Sequence, residues 1–165
     1  IDEAHKFLGR NILMDEMIEQ GYRRFRKYSA SAILATQGFN DVYNIESKSL
    51  SKAGSAIINN SAWKVFMKQT EVSANALLKS QLFSFTQIEE NIIKNISTKK
   101  GEYSELMLIS PEEVKVPYRL IMDRFFYYVT TTDPNDKKRI QKLVDSGVPL
   151  GEAIRQLVKE DENAS

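Results

Sequence analysis

Two adjacent carboxylates, Asp2 and Glu3, follow an apolar Ile1 at the start of the chain. At the end of a strand, such a pair can run metal-assisted hydrolysis of a nucleotide. One carboxylate holds a hydrated magnesium ion from one side, since that ion keeps several of its waters. Its neighbour orients or deprotonates the attacking water. The plainer reading is two charged residues in a turn that starts a helix. A second polar end closes SAILATQ, residues 31–37. The amide of Gln37 carries donors and an acceptor that suit a terminal phosphate or the attacking water. It also suits an ordinary strand-to-loop position. Arg23, Arg24, Arg26 and Lys27 form a basic cluster. Glu19, four residues before Arg23, gives that residue a simple partner. Arg26 has Tyr22 and Arg23 at the corresponding positions, so an anion from outside the helix would suit it. A phosphate at a neighbouring subunit would serve, with Arg26 as an arginine finger. A solvated basic face accounts for the cluster equally well. Trp63 and the aromatic run 125–128 could stack on bases or simply fill a core.

The elements that must position these groups follow from periodicity. Residues 10–29 read as a helix, with Met14, Ile18, Tyr22 and Phe25 forming its apolar stripe. The short apolar run 31–37 suits a buried parallel strand. Residues 46–58 read as a weak helix diluted by Gly54 and serines. Residues 62–69 suit a second strand and 71–80 a short helix. Thr86 and Glu89 make a capping box that opens a helix over 87–97. Residues 103–122 resemble a hairpin, with Pro117 on an edge or irregular strand. FFYYVTTT, 125–132, is aromatic and β-branched and suits a further strand. Asp133, Pro134 and Asp136 start a helix that ends near Gly147. A last helix covers about 149–160, and the tail 162–165 should fray. Strands alternating with helices point to an α/β sheet flanked by helices, with further helices at the C-terminus. Ligands in such sheets bind beyond the carboxyl ends of the strands, where Asp2, Glu3 and Gln37 all fall.

Composition sets the outer bounds. The 165 residues are 42% hydrophobic and 27% charged, as in a globular protein with a real core. A formal charge of +1 gives no global signal for nucleic acid or an anionic membrane. With no cysteine and a single histidine, His5, thiolate and histidine metal clusters are excluded. No apolar run approaches the roughly 18 residues that span a bilayer. No signal peptide or initiator Met is visible in these residues, and a beginning inside a motif is expected of a piece of a longer protein.

With IDEAHKFL, then GYRRFRKYSASAILATQGFND, then NSAWKVFMKQ, the sequence resembles the ATPases of conjugative DNA transfer and type IV secretion, above all the TraC-like family that energises pilus assembly. YYVTTTDPND and GVPLGEAIRQL extend the resemblance over nearly the whole chain. It implies the C-terminal half of a RecA-like P-loop ATPase domain related to the HerA and FtsK pumps. Residues 1–132 would be the partial ATPase domain, from Walker B onward, and 133–165 a C-terminal helical segment. Asp2 would be the metal-associated carboxylate, Glu3 the catalytic base, Gln37 the phosphate sensor and Arg26 the likeliest finger, with Arg24 the other candidate. Thr131, Thr132 and Pro134 would line the nucleotide base. The intact protein would use ATP and Mg2+, assemble as a hexamer, meet other secretion components, and sit in the cytoplasm against the bacterial inner membrane. DNA would be at most an indirect partner.

One departure from that family is plain. Its phosphate-binding loop, G-x-x-x-x-G-K-[ST], lies upstream of the Asp-Glu strand and is absent from these 165 residues. KAGS at 52–55 has its glycine and lysine in the wrong order. The chain therefore reads as half a site, expected not to hold ATP tightly by itself. Two other readings stand beside it. One is a non-catalytic docking module of the secretion machinery that works through helices 133–160. The other is a DEAH-type helicase fragment, which should show a Ser-Ala-Thr strand end where this chain has ATQ.

Overall fold

The helix expected over 10–29 forms as α1, Ile12–Arg24, in the computed structural model, which describes residues 1–163. Asn11 caps it by accepting from the Met14 N–H at 3.2 Å. A 3-10 turn, Phe25–Tyr28, continues it. Ile18 and Tyr22 are buried, with Met14 and Phe25 half-buried beside them, so the apolar stripe is the buried face.

Two-residue strands β1, Tyr43–Asn44, and β2, Ser49–Leu50, pair antiparallel ahead of α2, Lys52–Asn60. Ser51 caps α2 by accepting from the Gly54 N–H at 2.9 Å, and α2 packs on α1. Gly54, which weakens the helical pattern, is where the helix meets backbone. A Cβ there would lie 2.4 Å from the Val42 carbonyl oxygen. Intrinsic propensity favours alanine by about 1 kcal/mol. A backbone atom cannot swing aside, however, and overpacking costs about 1–3 kcal/mol. Gly54→Ala is therefore expected to lower the melting temperature. A higher melting temperature would show that this close approach does not exist.

The expected buried parallel strand over 31–37 is corrected. These residues are extended but form no regular strand, and Ile33 is 85% exposed. What forms is a single parallel rung beside the first residues of the chain. The Ile1 amino group donates to the Ile33 carbonyl at 2.7 Å, and the Ala35 N–H donates to the Ile1 carbonyl at 2.9 Å. Glu3 then turns into the left-handed region at φ 50°, so the ladder stops there.

The expected strand at 62–69 shortens to β3, Lys64–Phe66. Helix α3, Glu71–Lys79, is capped by Thr70, and α4, Gln87–Asn95, by the expected Thr86–Glu89 box. Glu89 accepts from the Thr86 N–H at 2.6 Å, and that bond holds its carboxyl below the usual range. Strands β4, Thr98–Lys99, β5, Tyr103–Ile109, and β6, Lys115–Ile121, follow. The sheet runs β3-β5-β4, with β6 also on β5. Its β3–β5 pairing is antiparallel, with Val65 opposite Leu108. The expected hairpin is present, and Pro117 lies on its outer strand, β6. Leu77, Ile93, Met107 and Ile109 are the largest fully buried side chains of the core.

The chain divides into two compact units. One is Ile1–Thr98 with Glu105–Arg119, and the other is Lys99–Ser104 with the chain from Leu120 on. The expected boundary at 132/133 falls within the second unit. That unit holds α5, Arg124–Thr130, α6, Pro134–Asp145, and α7, Leu150–Asn163. The strand expected from FFYYVTTT is overturned, because 124–130 is helical. Asp123 caps it by accepting from the Phe125 and Phe126 N–H groups at 2.9 and 3.3 Å. That local cap overrides the β preference of the aromatic run. Helical spacing then buries Tyr128 against Ile154 and Leu157. Its hydroxyl donates to Asp161 at 2.5 Å and accepts from Arg139 at 2.9 Å. Burial first, then the Asp161 bond, pushes the phenol up to about 12. Helix α7 runs three residues past its expected end, and Ala164 and Ser165 of the expected frayed tail lie outside the described residues. Among the described residues, no helix is long and apolar enough to cross a membrane.

Candidate functional site

The parallel rung brings the two polar ends together. The Ala4 N–H donates to the Ala35 carbonyl at 2.9 Å, so Asp2 and Glu3 run beside the segment that ends in Gln37. All three side chains belong to exposed residues. Asp2 turns one carboxylate oxygen onto the Glu3 N–H at 2.8 Å. The Glu3 carboxylate forms an ion pair with Lys6, one turn on. Neither carboxylate is buried or caged. Among the described residues no group of three or more His, Cys, Asp or Glu side chains could hold a metal ion. This donor set suits magnesium, which is commonly held by one or two carboxylates while keeping its waters and taking substrate phosphates.

The turn after Gln37 is fixed from two sides. Asp41 accepts from the Thr36 hydroxyl and, at 3.1 Å, from the Gly38 N–H. The Phe39 N–H donates to the Ser73 hydroxyl at 2.9 Å and to the Gln69 amide oxygen at 3.3 Å. Ser73 in turn donates to that Gln69 oxygen at 2.8 Å. Phe39 is buried and stacks on Tyr43 with ring centroids 5.2 Å apart. Sequence reading missed Asp41, Gln69 and Ser73. Asp41 could have been found as the acceptor three residues past a glycine turn. Ser73 reads only as the residue three past the Thr70 cap.

Arg26 lies on the 3-10 turn after α1 and is exposed. Arg23 makes the expected pair with Glu19, at 3.1 Å. Among the described residues Arg26 makes no ion pair. Ser29 follows in the left-handed region at φ 51° and turns the chain into the segment leading to Gln37. Trp63 is exposed, whereas the 125–128 run is partly core, with Tyr128 buried and Phe126 exposed.

Thr131, Thr132 and Pro134 belong to the second unit. Pro134 is the first residue of α6, and Thr132 is exposed. The Thr131 hydroxyl donates to Asp136 at 3.2 Å and accepts from the Asp133 N–H at 3.2 Å. Asp133 caps α6 and pairs with Lys100, whose ammonium holds the Asp133 carboxyl below the usual range. The turn is thus held by hydrogen bonds of its own side chains and by Lys100.

A family model described as the TraG P-loop domain matches residues 1–161. The chain is 28% identical over 161 residues to Protein TraC of Escherichia coli K12, an alignment covering 95% of this chain and 18% of that relative. It thus spans less than a fifth of the curated relative's length. No solved structure matches it. These likenesses bear out the resemblance to TraC-like transfer ATPases.

Proposed function

We propose, for a chain that belongs to the family of TraG P-loop domains, that it supplies the water-activating and phosphate-sensing side of an ATPase site in a conjugative-transfer motor. The observation that carries this reading is the single rung that sets Asp2 and Glu3 beside the extended segment ending at Gln37. In that role Asp2 holds the hydrated metal from one side. Glu3 leaves its pairing with Lys6 to orient the attacking water and accept its proton. Gln37 places its amide on the terminal phosphate or on that water. Arg26 reaches a nucleotide held by the neighbouring subunit of a RecA-like hexamer. Bound ATP with magnesium supplies the phosphoryl group and the cation that draws off its charge. Thr131, Thr132 and Pro134 line the base. The protein works at the cytoplasmic side of the inner membrane among other secretion components.

The glycine-lysine phosphate cradle comes, on this reading, from residues outside the 165 described by the sequence. Without it the β- and γ-phosphates lose most of their backbone contacts. An Asp-Glu pair also repels a polyanion until a cation intervenes. The isolated chain is therefore expected to bind ATP with a dissociation constant well above about 1 μM, a standard free energy weaker than about −8 kcal/mol. Calorimetry with ATP and magnesium tests this. A submicromolar constant would mean that the chain carries a complete nucleotide site of another kind.

A further inference from the structure

We propose that Ser73, working with Gln69, is a positioning residue for Gln37, an inference that rests on the sensor role given to Gln37 above. Ser73 is 2% exposed and is the buried polar residue of the described core. Its hydroxyl is used twice. It accepts from the Phe39 N–H at 2.9 Å and donates to Gln69 at 2.8 Å. Gln69 closes the chain of bonds by donating to the Met67 carbonyl at 3.3 Å. The seat is tight: a Cβ on Gly38 would lie 3.1 Å from the Ser73 oxygen and 3.6 Å from that of Gln69. Two residues, Thr36 and Gln37, lie between Ala35 and this seat, and Thr36 is itself tied to Asp41.

The backbone on both sides of Gln37 is therefore fixed, while its side chain is free to meet a ligand. From α3 the Ser73 hydroxyl ties Gln69, in the loop after β3, to the turn after Gln37, and its bond to Phe39 crosses 34 residues of sequence. A buried hydroxyl must find hydrogen-bond partners wherever it sits, and the partners that satisfy this one are that turn and that loop. Loss of the hydroxyl leaves the Phe39 N–H with the longer Gln69 bond alone, so the turn can drift. A misplacement of about 1 Å at a reacting group can cost on the order of 10²-fold in rate.

The test is a double-mutant cycle on the intact protein, with hydrogen exchange as a second readout. Ser73→Ala is expected to lower turnover about 10- to 100-fold, with KM for ATP changed less than about twofold because ground-state binding is untouched. In the Gln37→Ala background, the same change is expected to cost almost nothing further. Exchange of the Phe39 amide should rise in Ser73→Ala whatever the nucleotide state. Should Ser73→Ala fail to fold, Gln69→Ala takes its place in the same cycle, with the same non-additivity expected. Additive losses from Ser73 and Gln37, or a rise in KM alone, would overturn the positioning role. Unchanged turnover in Gln37→Ala, with raised Phe39 exchange in Ser73→Ala, would instead sink the sensor reading and leave the seat as structure only.

Discussion

Replacing Glu3 with Gln in the intact protein is expected to abolish most phosphate release while leaving ATP binding in place. The change keeps the side chain's shape and its ability to hydrogen-bond water, but removes the base. A positioned general base typically contributes 10²–10⁴-fold, about 3–5 kcal/mol of barrier. The loss should appear in kcat, with KM little changed, because the missing interaction is made only as the water attacks. Lys6→Ala gives the matching control. Lys6 pairs with Glu3 on an exposed surface, where such pairs contribute little. Its removal is expected to leave turnover within a few-fold of the wild type. Equal losses in the two variants would point to a damaged turn in place of a missing base.

Arg26→Ala is expected to cost about 10³-fold or more in turnover if Arg26 completes a neighbour's site. Its exposure and lack of an ion pair among the described residues leave its charge available. Arg23, four residues after Glu19 and bonded to it, is the internal comparison, and Arg23→Ala should have little effect. Mixing the Arg26→Ala and Glu3→Gln proteins sharpens the result. Each lacks a different half of the site, so some mixed interfaces hold an intact Glu3 facing an intact Arg26 and should regain activity. If subunits exchange and mixing restores nothing, Arg26 does not act across a boundary, and the cluster at 23–27 is a solvated face.

The elements legible in the sequence are those whose causes are local. Thr86 with Glu89, and Asp133 with Pro134, announce helix starts within one turn, and Gly147 marks a stop. The stripe Met14–Phe25 needs only periodicity. SAILATQ misled because a short apolar run says nothing of what covers it, and Ile33 is exposed. FFYYVTTT misled because the composition of the run outweighed a single aspartate before it. The parallel strand expected at 31–37 does not form, and β3 pairs antiparallel on β5, a long-range choice. Within the candidate site, residue types gave Asp2, Glu3 and Gln37, and the fold supplies their adjacency. The left-handed turn at Glu3 and the grip of Ser73 on Phe39 depend on tertiary contact, and no spacing rule announces them. Gly54 has the same lesson, since its reason is the Val42 carbonyl, twelve residues away in sequence.

The most direct test of the account is to identify the nucleotide left on the protein after one turnover. Intact wild-type and Glu3→Gln proteins are mixed with ATP and magnesium, freed of unbound nucleotide and quenched in acid. Wild type is predicted to yield ADP and released phosphate, and Glu3→Gln to yield bound, unhydrolysed ATP at comparable occupancy. ADP formed by Glu3→Gln at the wild-type rate would contradict the claim that this chain carries the water-activating side of the site.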